Sequence, residues 1–364
     1  MKKITAVLPA RNCRQDLYRC LSVLGRGKTV PDIIVVDDGS DDETEKMIRR
    51  HWPAVTYLSL PAHTGYAHAS NAGLRLVRTE YAFLIRPDLV AGKNCLSRLL
   101  ETMEGDESVF CAVPEFRAAQ AGKKTGKVDR ESCADRIFRK AEVKTFFPGT
   151  DWKSRRRHAV KQIIAVPDGC AMYRMSALEE IGWMDERHFD SLEAFDLSLR
   201  AALHGWKTAE VRGAAVGCRA RDGAGAKSAL RQQLAVGNGR YVFYKNIPAI
   251  MRLPGLPVFA AVDAAQLASF VRRGGFGSYK TALERGHALC SLEKDRRAAL
   301  GGGVGIWPEN LSDASFLGMD EAAEKMYPLF LSEKEPVLAG RLARYLRIQW
   351  MLTAELPQLI RLLV

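Results

Sequence analysis

Short apolar runs that end abruptly in polar residues are the feature that most constrains the fold of this chain. The first run is Ile4–Leu8, and the second is Ile33–Val36, which is closed by Asp37-Asp38-Gly39-Ser40. Runs of this length, rich in Ile and Val, are typical of buried parallel strands. Between the two runs, helical spacing separates Leu17, Leu21 and Leu24. The pattern therefore predicts a β-α-β unit.

The same alternation continues along the N-terminal half of the chain. Val55–Leu60 and Ala82–Ile85 predict two further strands, with a helix near Ser70–Val77 between them. A further helix is expected from Ala91 through Leu100, and Val109–Val113 predicts another strand. This succession favours an α/β protein with a doubly wound sheet.

Beyond this half, changes of composition suggest where the domain ends. Lys, Arg, Gly and Ser dominate from Arg117 to Lys161, which predicts a basic insertion at 117–161. A Gly-rich break is expected over Gly213–Gly225, followed by a helix over about Ser228–Tyr244 that ends before Pro248. We therefore expect an α/β domain over 1–250 and an appended helical C-terminal region over 251–364.

The end of the C-terminal region combines apolar and basic residues at helical spacing. Arg341, Arg344 and Arg347 alternate with the apolar positions Leu338, Leu342, Tyr345, Leu346, Trp350 and Leu352. A basic amphipathic helix of this kind suits an anionic membrane surface. The alternative is that the helix packs on the protein itself or on a second subunit, so an oligomer stays open.

Charge and cysteine usage limit the classes of partner and compartment. A net charge of +12 fits phosphate-bearing ligands or an anionic membrane, and we expect no nucleic-acid partner because no helix-turn-helix, zinc-finger or RNA-binding signature is present. None of the eight cysteines has metal-binding spacing, which favours reduced thiols. Without a signal-peptide core or an apolar run of spanning length, we expect a cytoplasmic protein, or one bound peripherally at the inner membrane face.

The acidic pair after the second apolar run is the first candidate for ligand binding. Ligands of open α/β sheets sit outside the carboxyl ends of the parallel strands, where Asp37 and Asp38 are expected. A carboxylate there can accept a hydrogen bond from a nucleobase N–H or a ribose hydroxyl. The alternative is that both acids only cap the next helix.

Three motifs, in this order and spacing, resemble the nucleotide-binding elements of family 2 glycosyltransferases of the GT-A fold. They are Pro9-Ala10-Arg11-Asn12, Val35-Val36-Asp37-Asp38-Gly39-Ser40 and Gly65-Tyr66-Ala67-His68-Ala69-Ser70-Asn71-Ala72-Gly73-Leu74. Leu84-Ile85-Arg86-Pro87-Asp88 is similar to the metal-binding region of the family's rhamnosyltransferase-like members. The resemblance resumes at Asp168–Arg174 and at Phe189–Trp206, and it implies a mixed sheet of GT-A type.

Carried over by position, the resemblance implies roles for individual residues. Pro9, Arg11 and Asp38 would line the nucleobase and ribose pocket, with Asp37 beside them. Gly65 and Asn71 would lie near the ribose and diphosphate, although Gly65 could serve only a turn and Asn71 only a helix end.

Three departures from the family pattern bear on metal binding and catalysis. Arg86 stands where a second acidic residue is common, so Asp88 is left as the one carboxylate for a divalent cation, Mn²⁺ or Mg²⁺; alternatively Arg86 neutralises the diphosphate itself. The usual Glu-Asp pair is Glu193-Ala194, so we expect Glu193 to be the catalytic base and Asp196 to be the second candidate. Cys218 stands where a metal-binding histidine is common.

The resemblance implies an inverting glycosyltransferase that uses a nucleotide-sugar donor. The acceptor would be a glycan or a lipid-linked glycan, in cell-surface polysaccharide synthesis. The three departures leave a second hypothesis open, in which the chain is a nucleotide-binding scaffold without turnover.

Overall fold

The computed structural model describes residues 2–118, 160–163, 166, 169–218 and 229–246 and, with short gaps, 260–299. Most of the basic insertion, Asp168 and the amphipathic C-terminal segment lie outside these residues. Among the helices described, none has the length and apolar character needed to cross a bilayer.

The described residues form two compact units, one built on a sheet and one on helices. The strands are β1 (Ile4–Ala10), β2 (Asp32–Asp37), β3 (Thr56–Ser59), β4 (Tyr81–Ile85), β5 (Leu89–Ala91), β6 (Val109–Ala118), β7 (Val160–Ile163), β8 (Cys170–Arg174) and β9 (Lys207–Cys218). The helices of this unit are α1 (Arg14–Leu24), α2 (Thr44–His51), α3 (Tyr66–Leu74), α4 (Cys95–Gly105), α5 (Met175–Ile181) and α6 (Glu193–Leu203), with a 3₁₀ turn at Glu186–His188.

One mixed sheet runs in the order β3-β2-β1-β4-β8-β6-β9-β5, with β7 also paired to β9. Strands β1, β2, β3 and β4 are mutually parallel, and β8 joins this group antiparallel to β4. The expected mixed α/β sheet is confirmed. Because the four parallel strands end at one edge, the loops that follow them lie at the same edge of the sheet.

Helices cover both faces of the sheet because β1 and β2 are apolar on both sides. Alternate residues of β1, such as Leu8, pack with α1, α2 and α4 on one face, while Val7 and Val36 pack with α3, α5 and α6 on the other. Each face therefore has its own buried core, as expected for parallel strands in the middle of a sheet.

The Gly-rich break expected over Gly213–Gly225 is wrong in its first part, because β9 continues to Cys218. The register of β6 and β9 jumps from Pro114↔Val211 to Glu115↔Ala215, so a bulge accommodates the intervening residues. Gly213 lies in this bulge with a φ of +80°, which a glycine adopts without steric cost.

The second unit contains two long helices that approach each other closely. They are α7 (Ala229–Asn246) and α8 (Phe276–Ala299). A Cβ added at Gly286 would lie 3.0 Å from the Gly237 carbonyl oxygen, so both glycines permit the contact. Arg240 also forms an ion pair with Asp263. The boundary expected at residue 250 stays a prediction.

Gly73 makes the packing of α3 on the sheet sensitive to a single methyl group. A Cβ at this position would lie 2.5 Å from Val7 Cγ1 and 2.8 Å from Val36 Cγ2. Overpacking costs about 1–3 kcal/mol, which exceeds the gain of about 1 kcal/mol in helix propensity. We therefore expect Gly73→Ala to lower the free energy of unfolding in denaturant titrations.

Gly105→Ala is the matched control, since Gly105 is also helical and has nothing within 4 Å of an added Cβ. We expect this variant to be as stable as the parent or slightly more stable. Equal free energies of unfolding for the two variants would show that α3 does not need the glycine.

Candidate functional site

The candidate site is built from the loops at the carboxyl edge of the parallel strands. Pro9 is buried in β1 opposite Val36, and the exposed Arg11 follows the end of the strand. Asp38 follows β2, and its backbone N–H donates to Ala10 O at 2.9 Å. This hydrogen bond links the first sequence motif, after β1, to the second, after β2.

The Asp37 carboxylate ties the end of β2 to its neighbours. It accepts a hydrogen bond from the backbone N–H of Ser40 at 2.9 Å and another from the Tyr57 hydroxyl on β3. Burial, followed by the hydrogen bond to Asp37 and the charge of Asp37, raises the pKa of Tyr57 above its usual value. Asp37 therefore stabilises the loop that carries Asp38.

The Asp38 carboxylate holds the loop that leads into α3. One oxygen accepts from the backbone N–H of Thr64 at 2.6 Å and from its hydroxyl at 2.8 Å. The other oxygen lies 2.7 Å from His63 Nδ1 and accepts from the Gly65 N–H at 3.1 Å. Asp38 is 4% exposed, so these contacts surround it almost completely.

Gly65 brings the start of α3 against a distant segment of the chain. Its φ is +95°, and a Cβ there would lie 2.6 Å from both the ring and the carbonyl oxygen of Phe189. The Ala67 N–H donates to that carbonyl at 3.2 Å. Gly65 therefore does more than permit a turn, because it allows the segment before α6 to lie on α3.

Asn71 joins α3 to the same segment. Its amide donates to Met184 O at 2.8 Å and to Glu186 at 2.9 Å, and its oxygen accepts from Met184 N at 3.1 Å. Glu186 also lies 2.6 Å from His68 Nδ1 and accepts from Arg75 at 3.1 Å. Asn71 is fully buried, and its described contacts are within the protein.

Arg86 and Asp88 form a two-point ion pair after β4. The guanidinium donates from Nε at 3.1 Å and from Nη2 at 2.9 Å, one bond to each carboxylate oxygen. Gly169 permits this arrangement, since its φ is +99° and a Cβ there would lie 2.3 Å from Arg86 Cδ. Cys218 pairs with Leu89, so the register places it next to this turn.

This arrangement fits a cation at Asp88 poorly. Both carboxylate oxygens already accept a hydrogen bond from the Arg86 guanidinium, whose positive charge opposes the binding of a divalent ion to the same carboxylate. Among the described residues, Asp88 is not part of a group of three His, Cys, Asp or Glu side chains with converging ligand atoms.

The described residues contain one such group, which sequence reasoning missed. Asp185, His188 and Asp196 have ligand atoms within 4.8 Å of one another. Each carboxylate is also bonded to an arginine: Asp185 to Arg187 at 2.9 Å, and Asp196 to Arg200 at 3.0 Å. Asp196 was considered only as a candidate base, and Asp185 and His188 lie outside the sequence motifs that the resemblance covers.

Glu193 begins α6, immediately after a strained segment. Phe189, Ser191 and Leu192 have φ values of +64°, +78° and +67°, which non-glycine residues rarely adopt. Glu193 is fully buried, as is Asp196 one turn later. Backbone strain of this kind is concentrated at functional sites, which makes the segment a candidate for ligand contact.

Comparison with known proteins identifies the family. The model described as glycosyl transferase family 2 matches residues 5–182. Residues 5–182 therefore form a family 2 glycosyl transferase domain, and the sheet has the GT-A fold.

Individual relatives are distant. Over 217 residues the chain is 24% identical to an N-acetylglucosaminyl-diphospho-decaprenol L-rhamnosyltransferase of Mycobacterium tuberculosis, covering 55% of this chain and 70% of that protein. It is 29% identical over 112 residues to a chondroitin synthase of Escherichia coli, covering 30% of this chain but 16% of that protein. A crystal structure of GalNAc-T7 with UDP, GalNAc and Mn²⁺ aligns with a TM-score of 0.50 at 14% identity, covering 67% of this chain and 50% of the other.

The cluster around Glu186 should make stability depend on acid pH. Partial burial raises the pKa of Glu186, but the hydrogen bonds from Asn71 and His68 and the charge of His68 outweigh this effect, and the net pKa is lowered. A lowered folded-state pKa contributes stability that is present above the unfolded-state value and is lost as the pH falls. We expect Glu186→Gln to lower the thermal unfolding midpoint at neutral pH.

The difference between the variant and the parent should shrink as the pH falls below about 4.5, where the unfolded glutamate also takes up its proton. Thermal scans across this range, at pH values where both proteins are folded, test the expectation. A difference that stays constant with pH would contradict an electrostatic role for Glu186.

Proposed function

We propose that this chain transfers a sugar from a nucleotide-diphosphate donor to a hydroxyl group of a glycan or lipid-linked acceptor, with inversion at the anomeric carbon. The observation that carries the proposal is the meeting of the polar loops after β1, β2, β3 and β4 at one edge of a family 2 glycosyltransferase domain. Two relatives support the substrate classes: the GalNAc-T7 structure contains UDP, and the mycobacterial enzyme is named for a diphospho-decaprenol acceptor.

The reaction would be a single displacement. The acceptor oxygen forms a bond to the anomeric carbon while the bond from that carbon to the phosphate oxygen breaks. The bonding electrons leave with the nucleoside diphosphate, and the acceptor proton passes to a carboxylate. The protein must therefore supply a base on one side of the sugar and positive charge on the other.

For the leaving group, we propose that Arg86 supplies the main positive charge. A guanidinium has five N–H donors, and Asp88 accepts two hydrogen bonds from it, so others remain for phosphate oxygens. A divalent cation beside Asp88 would add Lewis-acid stabilisation of the same phosphate oxygens. Because the positive charge of Arg86 opposes the binding of such an ion and already stabilises the leaving group, we expect metal to assist rather than to be required.

For the base, we propose Glu193. The competing carboxylate, Asp196, accepts from Arg200, whose other nitrogens donate to the Ile181 and Trp183 carbonyls at 2.6 and 2.7 Å. Asp196 is therefore part of the contacts that fix α6. Glu193 is buried, so the strained segment 189–192 would have to move aside for the acceptor.

The burial of Glu193 also favours a second candidate function, a nucleotide-binding scaffold without turnover. In that case the strained segment would never admit an acceptor. The two functions predict the same donor binding and differ in whether nucleoside diphosphate is released.

A panel of nucleotide sugars should separate the two. We expect one donor to raise the thermal unfolding midpoint, because a ligand that binds the folded state stabilises it by mass action. The same donor should be hydrolysed slowly to nucleoside diphosphate, and an added chelator should weaken binding only partly. Binding without hydrolysis or transfer to any acceptor would favour the scaffold, and no binding to any donor would overturn both functions.

Turnover should depend on Glu193 far more than on Asp196. Glu193→Gln keeps the size of the side chain but removes the base, so we expect kcat to fall about a hundredfold or more while donor affinity stays near that of the parent.

Asp196→Asn is the matched control. It weakens the hydrogen bond from Arg200, so we expect it to lower the free energy of unfolding while kcat falls much less than in Glu193→Gln. A wild-type rate for Glu193→Gln, or a larger loss of kcat for Asp196→Asn in folded protein, would assign the base elsewhere.

A further inference from the structure

We propose that His63 Nε2 is the hydrogen-bond acceptor for an N–H or O–H of the donor's nucleoside, and that Asp38 acts behind it as a positioning residue. This inference rests on the proposed function and names a specificity-determining contact at the same site. It transfers to His63 the ligand contact that the family resemblance implies for Asp38.

His63 lies at the sheet edge because its loop follows β3 and runs beside the loop after β2. Leu60 N donates to Asp37 O at 2.8 Å where the two loops leave the sheet. Gly39, with a φ of +70°, allows them to come together, since a Cβ there would lie 2.9 Å from the His63 backbone nitrogen. The imidazole is thus held among the loops that form the candidate nucleotide site.

The Asp38 carboxylate has little capacity left for a ligand. A carboxylate offers about four lone-pair sites, and Asp38 already makes four contacts, with the Thr64 N–H and hydroxyl, the Gly65 N–H and His63 Nδ1. Its side chain is 5% exposed, whereas that of His63 is 35% exposed. A ligand can therefore reach the histidine more easily than the aspartate.

The contact with Asp38 also determines what His63 presents to a ligand. When Nδ1–H donates to the carboxylate, the neutral imidazole carries its free lone pair on Nε2. The ring also packs edge-on against Phe189, with 5.0 Å between ring centroids. Among the described residues, the His63 imidazole makes its hydrogen bond through Nδ1, to Asp38. Nε2 is therefore an oriented acceptor.

An acceptor lone pair selects the nucleoside over the diphosphate. Phosphate oxygens are acceptors themselves and would repel Nε2, while a base N–H or a ribose hydroxyl can donate to it. Such a contact discriminates between nucleotides, because a ligand that lacks the donor group leaves a polar atom of the site unpaired.

Calorimetric titrations at about pH 8 test the proposal. UDP, GDP and dTDP are titrated into the full chain, and the tightest is taken forward with forms that each lack one of its sugar hydroxyls and with a form methylated at the base N–H. We expect His63→Asn to bind the parent nucleotide about tenfold more weakly, as loss of one hydrogen bond predicts. The modified nucleotide that wild type and variant bind equally identifies the group that contacts His63.

Two further variants keep the result interpretable. His68→Asn is the matched control, since His68 is 37% exposed and its Nδ1 also lies 2.6 Å from a carboxylate, that of Glu186; we expect its nucleotide affinity to change less than about twofold.

His63→Gln is the second variant. The longer glutamine side chain can place its amide near the position of Nε2, whereas the amide of asparagine lies nearer to the position of Nδ1. We therefore expect glutamine to retain more affinity than asparagine.

The outcomes separate this inference from the function on which it rests. If wild type binds none of the nucleotides, both are overturned. If wild type binds and His63→Asn binds equally well, or binds at least as tightly as His63→Gln, the assignment of His63 is wrong while the proposed function stands.

Discussion

The hydrogen bonds of the Asp38 carboxylate connect the sheet to the rest of the candidate site. They fix the loop 63–65, and this loop sets where α3 begins. Helix α3 then holds the segment before α6 through Asn71 and through the contact of Gly65 with Phe189. The position of Glu193 therefore depends, through backbone contacts, on a carboxylate that follows a different strand. A change at Asp38 should be transmitted to both halves of the site.

This dependence explains why the sequence predicted the sheet better than the site. The apolar runs located β1, β2, β3 and β4 to within about two residues, because burial on both faces imposes a periodic signal. Helix α3 begins at Tyr66 rather than near Ser70, because the buried residues of its first turn are the small Ala67 and Ala69, which give only a weak apolar pattern. The short strand β5 was missed, because it has three residues and the last of them, Ala91, was assigned to the start of a helix.

Long-range contacts were the other part that the sequence could not supply. The family resemblance selected Gly65 and Asn71, but only the structure reveals their partners Phe189 and Met184, more than a hundred residues away. His63 carried no motif signal at all, and its significance comes from its contact with Asp38. Residues whose function comes from a distant partner leave no periodic or spacing pattern in one sequence.

Three aspartates of the described site are each paired with an arginine that is close in sequence, and this pairing affects how the proposed anionic donor would bind. Asp88, Asp185 and Asp196 are each bonded to an arginine two or four residues along the chain. A guanidinium stays protonated at any physiological pH and is covalently part of the chain, so its charge needs no metal supply. Under the proposed function, a nucleoside diphosphate would accept from the N–H groups of Arg86 that Asp88 leaves open, so Asp88 would orient the guanidinium rather than compete with the donor for it. Arg200 already donates to Asp196 and to two backbone carbonyls, so its role is to fix α6.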